Sequence, residues 1–325
     1  MLKKAARVIQ KNLIPFLVLS IVFGLLFGWV YPSSTPVLKR LTPVSLFIML
    51  YPMMIGLKIE EITKAVKNLK LILSSSIFNF VISPPLAAIL AYIFLRGYPD
   101  FAVGLILTGC VPCAGMVAAW TGYARGNVAL SMVIVALSLV ISIFTIPVWM
   151  STLAGIYVTV NVMEMFKDIL LIVVIPLVLG NLTRRYLIRK SGIQRFIELK
   201  VIFPAVSMLG MYMIVFISMA IESVRVIHNP TFFVVILAPL VLFYLTIFST
   251  SLLYTVKAGF NYADSMAFIY GVAGKNISIA IALATVFFSP LTVLILAIKP
   301  IIQISFMAGF LKLTPKIEKR LFKVL

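Results

Sequence analysis

Long apolar runs alternate with short polar segments along most of this chain, and the polar segments are mostly basic. Crossing a hydrocarbon core takes about 20 apolar residues. Ten runs reach or approach that length: 13–31, 41–57, 70–95, 100–122, 128–151, 167–183, 201–221, 231–255, 263–287 and 291–311. Several contain proline, at Pro52, Pro84, Pro85, Pro147, Pro176, Pro239 and Pro300. Such breakers persist in a bilayer only where neighbouring helices or a cavity satisfy the freed backbone groups. The pattern therefore predicts a packed bundle rather than separate anchors. The run beginning at Leu13 is too long for a signal peptide and has no convincing cleavage site, so it reads as the first span.

Charge gives these spans a direction. With a cytoplasmic N-terminus, the inner segments hold most of the 28 Lys and Arg, the outer loops hold few, and Lys275 and Lys299 fall within spans. The positive-inside rule then puts both termini in the cytoplasm of a multi-pass protein of the cell membrane. The richest inner segment, RRYLIRKSGIQRFIELK (184–200), reads as a topology signal that touches anionic head groups. A cut near residue 160 leaves five spans on each side, 1–160 and 161–325. An odd number per half makes the halves, if related, inverted repeats, as in many secondary transporters. The expected fold is an all-α polytopic membrane protein: about ten transmembrane helices in two inverted five-helix repeats forming one integral membrane domain.

Composition supports a membrane protein and narrows the function. Hydrophobic residues make up 62% of the 325 and charged residues 11%, with mean hydropathy +1.16. A soluble core cannot absorb that apolar excess. The net charge of +19 lies in clusters between spans, so it implies lipid contact and no nucleic acid. The lone histidine, His228, lies in a short outer loop, which supports neither a metal site nor a catalytic triad. The chain has no phosphate-binding glycine loop and no paired buried carboxylates, so no cofactor and no enzymatic activity are expected. No segment is long enough for a nucleotide domain that would drive a pump.

Two interrupted stretches hold the candidate chemistry. GCVPCAGMVAAW (109–120) carries both cysteines, two glycines and a proline inside the fourth run, and GVAGKNIS (271–278) interrupts the ninth. Each contains an Ala-Gly pair, at Gly115 and Gly274, and each is followed by a proline-bearing span. Corresponding Gly/Pro-interrupted segments in two halves are a pointer to a transport site, with helices four and nine broken and crossing. Cys113, with Cys110, offers soft thiolates for trivalent arsenic or antimony; the alternative is a small buried packing residue. Lys275 is an intramembrane cation, costing roughly 2.5–3.5 kcal/mol at a span centre, and is a functional candidate by default. The alternative is a lysine that snorkels or is neutral. Lys299, before Pro300, is a second candidate for coupling. Gly271, Gly274 and Asn276 let the backbone unwind and present N–H donors to an anion; the alternative is close helix packing.

The order of spans and the two breaks resemble the bile acid/sodium symporter superfamily. GCVPCAGMVAAW looks most like its arsenite-efflux permease branch, whose fourth span follows Gly-x-x-x-Cys-x-x-Met-Val-x-x-Trp, matched by Gly109, Cys113, Met116, Val117 and Trp120. LFIMLYPMMIGLKIEE (46–61) is similar to that branch in span two, and YARGNVALS (123–131) also resembles the sodium-coupled branch. The resemblance implies a substrate site around Asn79, Cys113, Gly115, Gly271, Gly274, Lys275, Asn276 and Ser278. It also exposes departures. Ser278 and Gln303 stand where the arsenite branch has glutamates. The sodium-coupled branch's Ser-Asn pair falls on Val117 and Ala118, and its Glu and Gln fall on Gly271 and Lys275, leaving Asn79 and Ser131 as remnants.

The expected function is secondary active transport of a small solute by alternating access, without sodium coupling and with protons as possible partners. Cys113 favours arsenite or antimonite as the solute, whereas Lys275 and the missing glutamates favour an oxyanion or organic anion. The alternatives are a sodium-coupled organic anion symporter and, from another class, a channel or membrane receptor. A channel would show a polar face sustained along several spans. Here the polar residues concentrate at the two breaks.

Overall fold

A computed structural model describes residues 2–56 and 69–322. Leu57–Glu61, the tail of the span-two motif, lies outside the described residues. Sixteen α-helices occupy most of the described chain. The first five are α1 (Leu2–Lys11), α2 (Leu13–Val30), α3 (Thr35–Ile55), α4 (Leu69–Ile77) and α5 (Ser83–Phe94). They are followed by α6 (Pro99–Cys110), α7 (Val117–Tyr123), α8 (Val128–Trp149), α9 (Val162–Ile169), α10 (Ile175–Leu199) and α11 (Ile202–Ile221). The last five are α12 (Ser223–Ile227), α13 (Thr231–Lys257), α14 (Tyr262–Ala273), α15 (Ile277–Phe287) and α16 (Thr292–Ile317). Among the described residues there is no β-strand, only one isolated antiparallel bridge, between Cys113 and Lys275.

Among the described residues, seven helical stretches are long and apolar enough to cross a membrane: Leu13–Val30, Pro32–Ile55, Leu69–Phe94, Val128–Ala154, Ile202–Ile221, Thr231–Lys257 and Thr292–Phe322. They match seven of the ten runs. Of the other three, 100–122 and 263–287 are each split into two helices, and 167–183 lies in α9, a π-turn and α10. Phe23, Leu26, Trp29 and Val30 of α2 stand at least 47% exposed, apolar surface suited to lipid rather than water. The protein is a multi-pass membrane protein.

The helices form two compact units interleaved along the chain. The first comprises Met1–Leu57, Met163–Val234 and Ser278–Ala297. Here α11 packs against α1, α2 and α3. Close approach depends on glycine: a Cβ on Gly28 would sit 2.0 Å from the Ala220 carbonyl oxygen, and one on Gly24 2.6 Å from that of Phe216. Small residues four apart let membrane helices meet backbone to backbone. At the polar end, Lys3 and Arg195 both donate to Glu198, at 3.0 and 2.9 Å. These hydrogen bonds hold its carboxyl below the usual carboxylate range.

The second unit comprises Lys58–Val162, Val235–Ile277 and Ile298–Leu325. Its core pairs α5 with α6 and sets α7 and α14 against α8. α4 runs into α5 through a π-turn, Phe78–Ile82, just before Pro84 and Pro85. In YARGNVALS, Arg125 takes the left-handed φ of 56°. Asn127 then caps α8 by accepting the Leu130 N–H at 3.0 Å. Its amide also reaches Asp264 of α14 at 2.8 Å.

Candidate functional site

The two interrupted spans meet as backbone. α6 ends at Cys110, and Val111 is extended (φ −70°, ψ 151°). α14 ends at Ala273, capped by a non-helical Gly274. The Ala114 N–H donates to Gly274 O at 2.7 Å, and the Asn276 N–H donates to Pro112 O at 2.8 Å. The polar backbone groups freed by each break are thus satisfied by the other, as a low-dielectric interior requires. Glycine makes this approach possible. A Cβ on Gly274 would lie 2.4 Å from Val117 Cγ2 and 2.8 Å from Tyr270 O, and one on Gly109 2.7 Å from Ser83 O.

Lys275 sits in this crossover, fully buried. Its ammonium donates to Asn79 Oδ1 at 2.9 Å, to Gly109 O at 3.1 Å and to Asn79 O at 3.3 Å. Asn79 is fixed from its other side, donating through Nδ2 to Ser75 O at 3.0 Å and to Gly271 O at 3.3 Å. The π-turn that carries Asn79 is held by Trp149, whose indole N–H donates to Phe80 O at 2.6 Å. Single π-turns inside membrane helices often mark functional positions.

The backbone carbonyl of Lys275 accepts from Gln303 Nε2 at 3.2 Å, and Gln303 Oε1 accepts from Tyr244 OH at 2.6 Å. One helical turn before Gln303, Lys299 is also fully buried, and its Nζ has no hydrogen-bond partner among the described residues. Lys275 and Lys299 are the two charged side chains buried among the described residues, with no carboxylate buried beside them.

Cys113 is buried and reduced, as is Cys110. Its backbone N–H and its thiol both donate to Ser138 Oγ, at 3.1 and 3.0 Å. Trp120 stacks on Tyr270, with centroids 6.2 Å apart and planes at 20°.

The structure thus brings Asn79, Cys113, Gly271, Gly274, Lys275 and Asn276 into one network and places Lys299 in the same unit. Gly115 is exposed, with nothing within 4 Å of a built Cβ, so no close contact demands glycine there. Ser278 is half-buried on α15, in the first unit. Ser138, Tyr244 and the Gly109 carbonyl join the site without having been singled out. A separate cavity of about 400 Å3 in the first unit is lined by Lys39, Thr42, Leu46, Ile217, Ser218 and Thr285, among others, and by no residue of the break.

Residues 43–229 match the Sodium Bile acid symporter family, more than half of the chain. The chain belongs to that family. Proteins similar to it include the arsenical-resistance protein Acr3 of Alkaliphilus metalliredigens, 28% identical over 82% of this chain and 81% of that protein. The arsenical-resistance protein Acr3 of Corynebacterium glutamicum is 25% identical over 94% of this chain and 89% of that one. The probable chloroplastic sodium/metabolite cotransporter BASS1 of Arabidopsis thaliana is 30% identical over 49% of this chain and 38% of its own. Family membership makes the chain a membrane transporter. Its buried charges among the described residues are Lys275, at the break, and Lys299, on α16.

Proposed function

We propose that the protein is a secondary active transporter that moves a small anion, an oxyanion or a small organic acid, by alternating access and without sodium coupling. The observation that carries this reading is Lys299, a fully buried lysine whose Nζ has no hydrogen-bond partner among the described residues, in a unit whose other buried ionisable side chain of a charged type is also a lysine. Charging an unpartnered amine in a low-dielectric interior is costly, and an anion beside it would offset that cost. Ten spans in two inverted halves, 1–160 and 161–325, with both termini cytoplasmic, complete the proposal. Crossed breaks near the bilayer midplane would then present helix ends to the substrate.

A second reading is arsenite or antimonite export. It is favoured by Cys113, by the span-four motif and by the names of the two Acr3 relatives.

Thermal-shift titration of purified wild type and Lys299→Met with small carboxylates, oxyanions, arsenite and antimonite tests the proposal. A small anion should stabilise the wild type, and its apparent affinity should fall at least about tenfold in Lys299→Met, the loss of one charge-assisted hydrogen bond. The unliganded variant should melt higher than the wild type, since it no longer buries an unpartnered polar group. Stabilisation by arsenite or antimonite alone would favour the second reading. A variant that binds the anion as well as the wild type would refute the role of Lys299.

A further inference from the structure

Three neutral oxygens converge on one nitrogen at the crossover, and no carboxylate is among them. Asn79 Oδ1, Gly109 O and Asn79 O lie 2.9, 3.1 and 3.3 Å from Lys275 Nζ. An ammonium has three donors, and these contacts use all three. Rings of such oxygens replace the hydration shell of a desolvated monovalent cation in selectivity filters.

The backbone supplies the rest of a cation site. Gly109 belongs to the last turn of α6, where carbonyls have no partner within the helix. Lys275 itself follows the last turn of α14. The negative end of the α6 dipole therefore lies at the ammonium, through the Gly109 carbonyl. Unwound carbonyls and half-helix C-terminal ends are where coupling cations sit in carriers with broken helices. Here that place is taken by a charge bonded to the chain. A sodium ion does not fit beside it, because the available oxygens already accept from Lys275 and the ammonium repels a second cation.

We propose that the oxygens of Asn79 and Gly109 form a monovalent-cation site permanently filled by the Lys275 ammonium, and that removing this ammonium converts it into a site for free sodium. The inference deepens the sodium-independent reading above: the protein needs no sodium because it carries its own cation. Lys275→Ala deletes the ammonium with its stem and leaves three acceptors facing a space from which their donor has gone. Buried unsatisfied carbonyls are unfavourable, and a small cation entering the space would satisfy them.

The test is thermal unfolding of wild type, Lys275→Ala and Lys275→Gln in choline, sodium and ammonium chloride at equal ionic strength. The wild type should melt at one temperature in all three salts. Both variants should melt lower than the wild type in choline, and saturating sodium or ammonium should raise them by about 2–4 °C. Folded variants that melt identically in the three salts would overturn the proposal, as would a wild type stabilised by sodium over choline. Failure of both variants to fold in every salt would also overturn it, because an open cation site would refill from the sodium buffer. The readout is ion binding, so its failure is distinguishable from failure of the anion screen, which reads solute.

Discussion

Cys113 gives both of its donors to one hydroxyl, Ser138 Oγ, which passes its own proton to Val135 O at 2.9 Å. The thiol therefore has a structural task whether or not it meets a solute. Cys113→Ser preserves a donor and removes the soft ligand. It should cost about 1 kcal/mol or less in stability and leave anion flux in reconstituted vesicles within about fivefold of wild type. Abolition of that flux in a folded variant would show that the sulfur itself handles the substrate. The site was partly legible in the sequence, because Cys113, Lys275 and Asn79 are conspicuous residue types inside apolar runs. Ser138 was not, since a serine that bonds the carbonyl three residues back is ordinary in a membrane helix. The carbonyls of Gly109 and Asn79 were illegible for a deeper reason. Every residue has one, and only the break in α6 and the π-turn decide which are free to accept.

At the scale of elements, apolar length located the spans well: the run 13–31 is α2, Leu13–Val30, and 201–221 is α11, Ile202–Ile221. Both glycine-bearing breaks fell where expected, since Gly109 and Gly274 permit backbone contact that a side chain would block. Less legible was α1, ten residues rich in lysine and arginine. It lies outside any apolar run, and Ala6 on it is buried, 3% exposed. The packing of α2 on α11 through Gly24 and Gly28 also escaped notice, because small residues matter only once their partner helix is known. Gly28→Ala tests it. With Ala220 O 2.0 Å from the new Cβ, the helices must part, at about 1–3 kcal/mol for overpacking. A melting temperature several degrees below that of the control Gly97→Ala, where nothing lies within 4 Å, is expected. Equal melting of the two variants would contradict the close approach.

For the whole molecule, charge is the organising quantity. Of 28 basic and nine acidic residues, the ones buried among the described residues are two lysines, one held by oxygens and one without a hydrogen-bond partner. On the function proposed above, these two lysines attract an anion and repel sodium. The most direct measurement of this account is solute flux in proteoliposomes, using the anion identified by thermal shift and imposing sodium and proton gradients separately. The account predicts that flux proceeds unchanged when sodium is replaced by choline on both sides, that it responds to a proton gradient, and that Lys275→Ala cripples it. Flux that requires an imposed sodium gradient and ignores a proton gradient would contradict it.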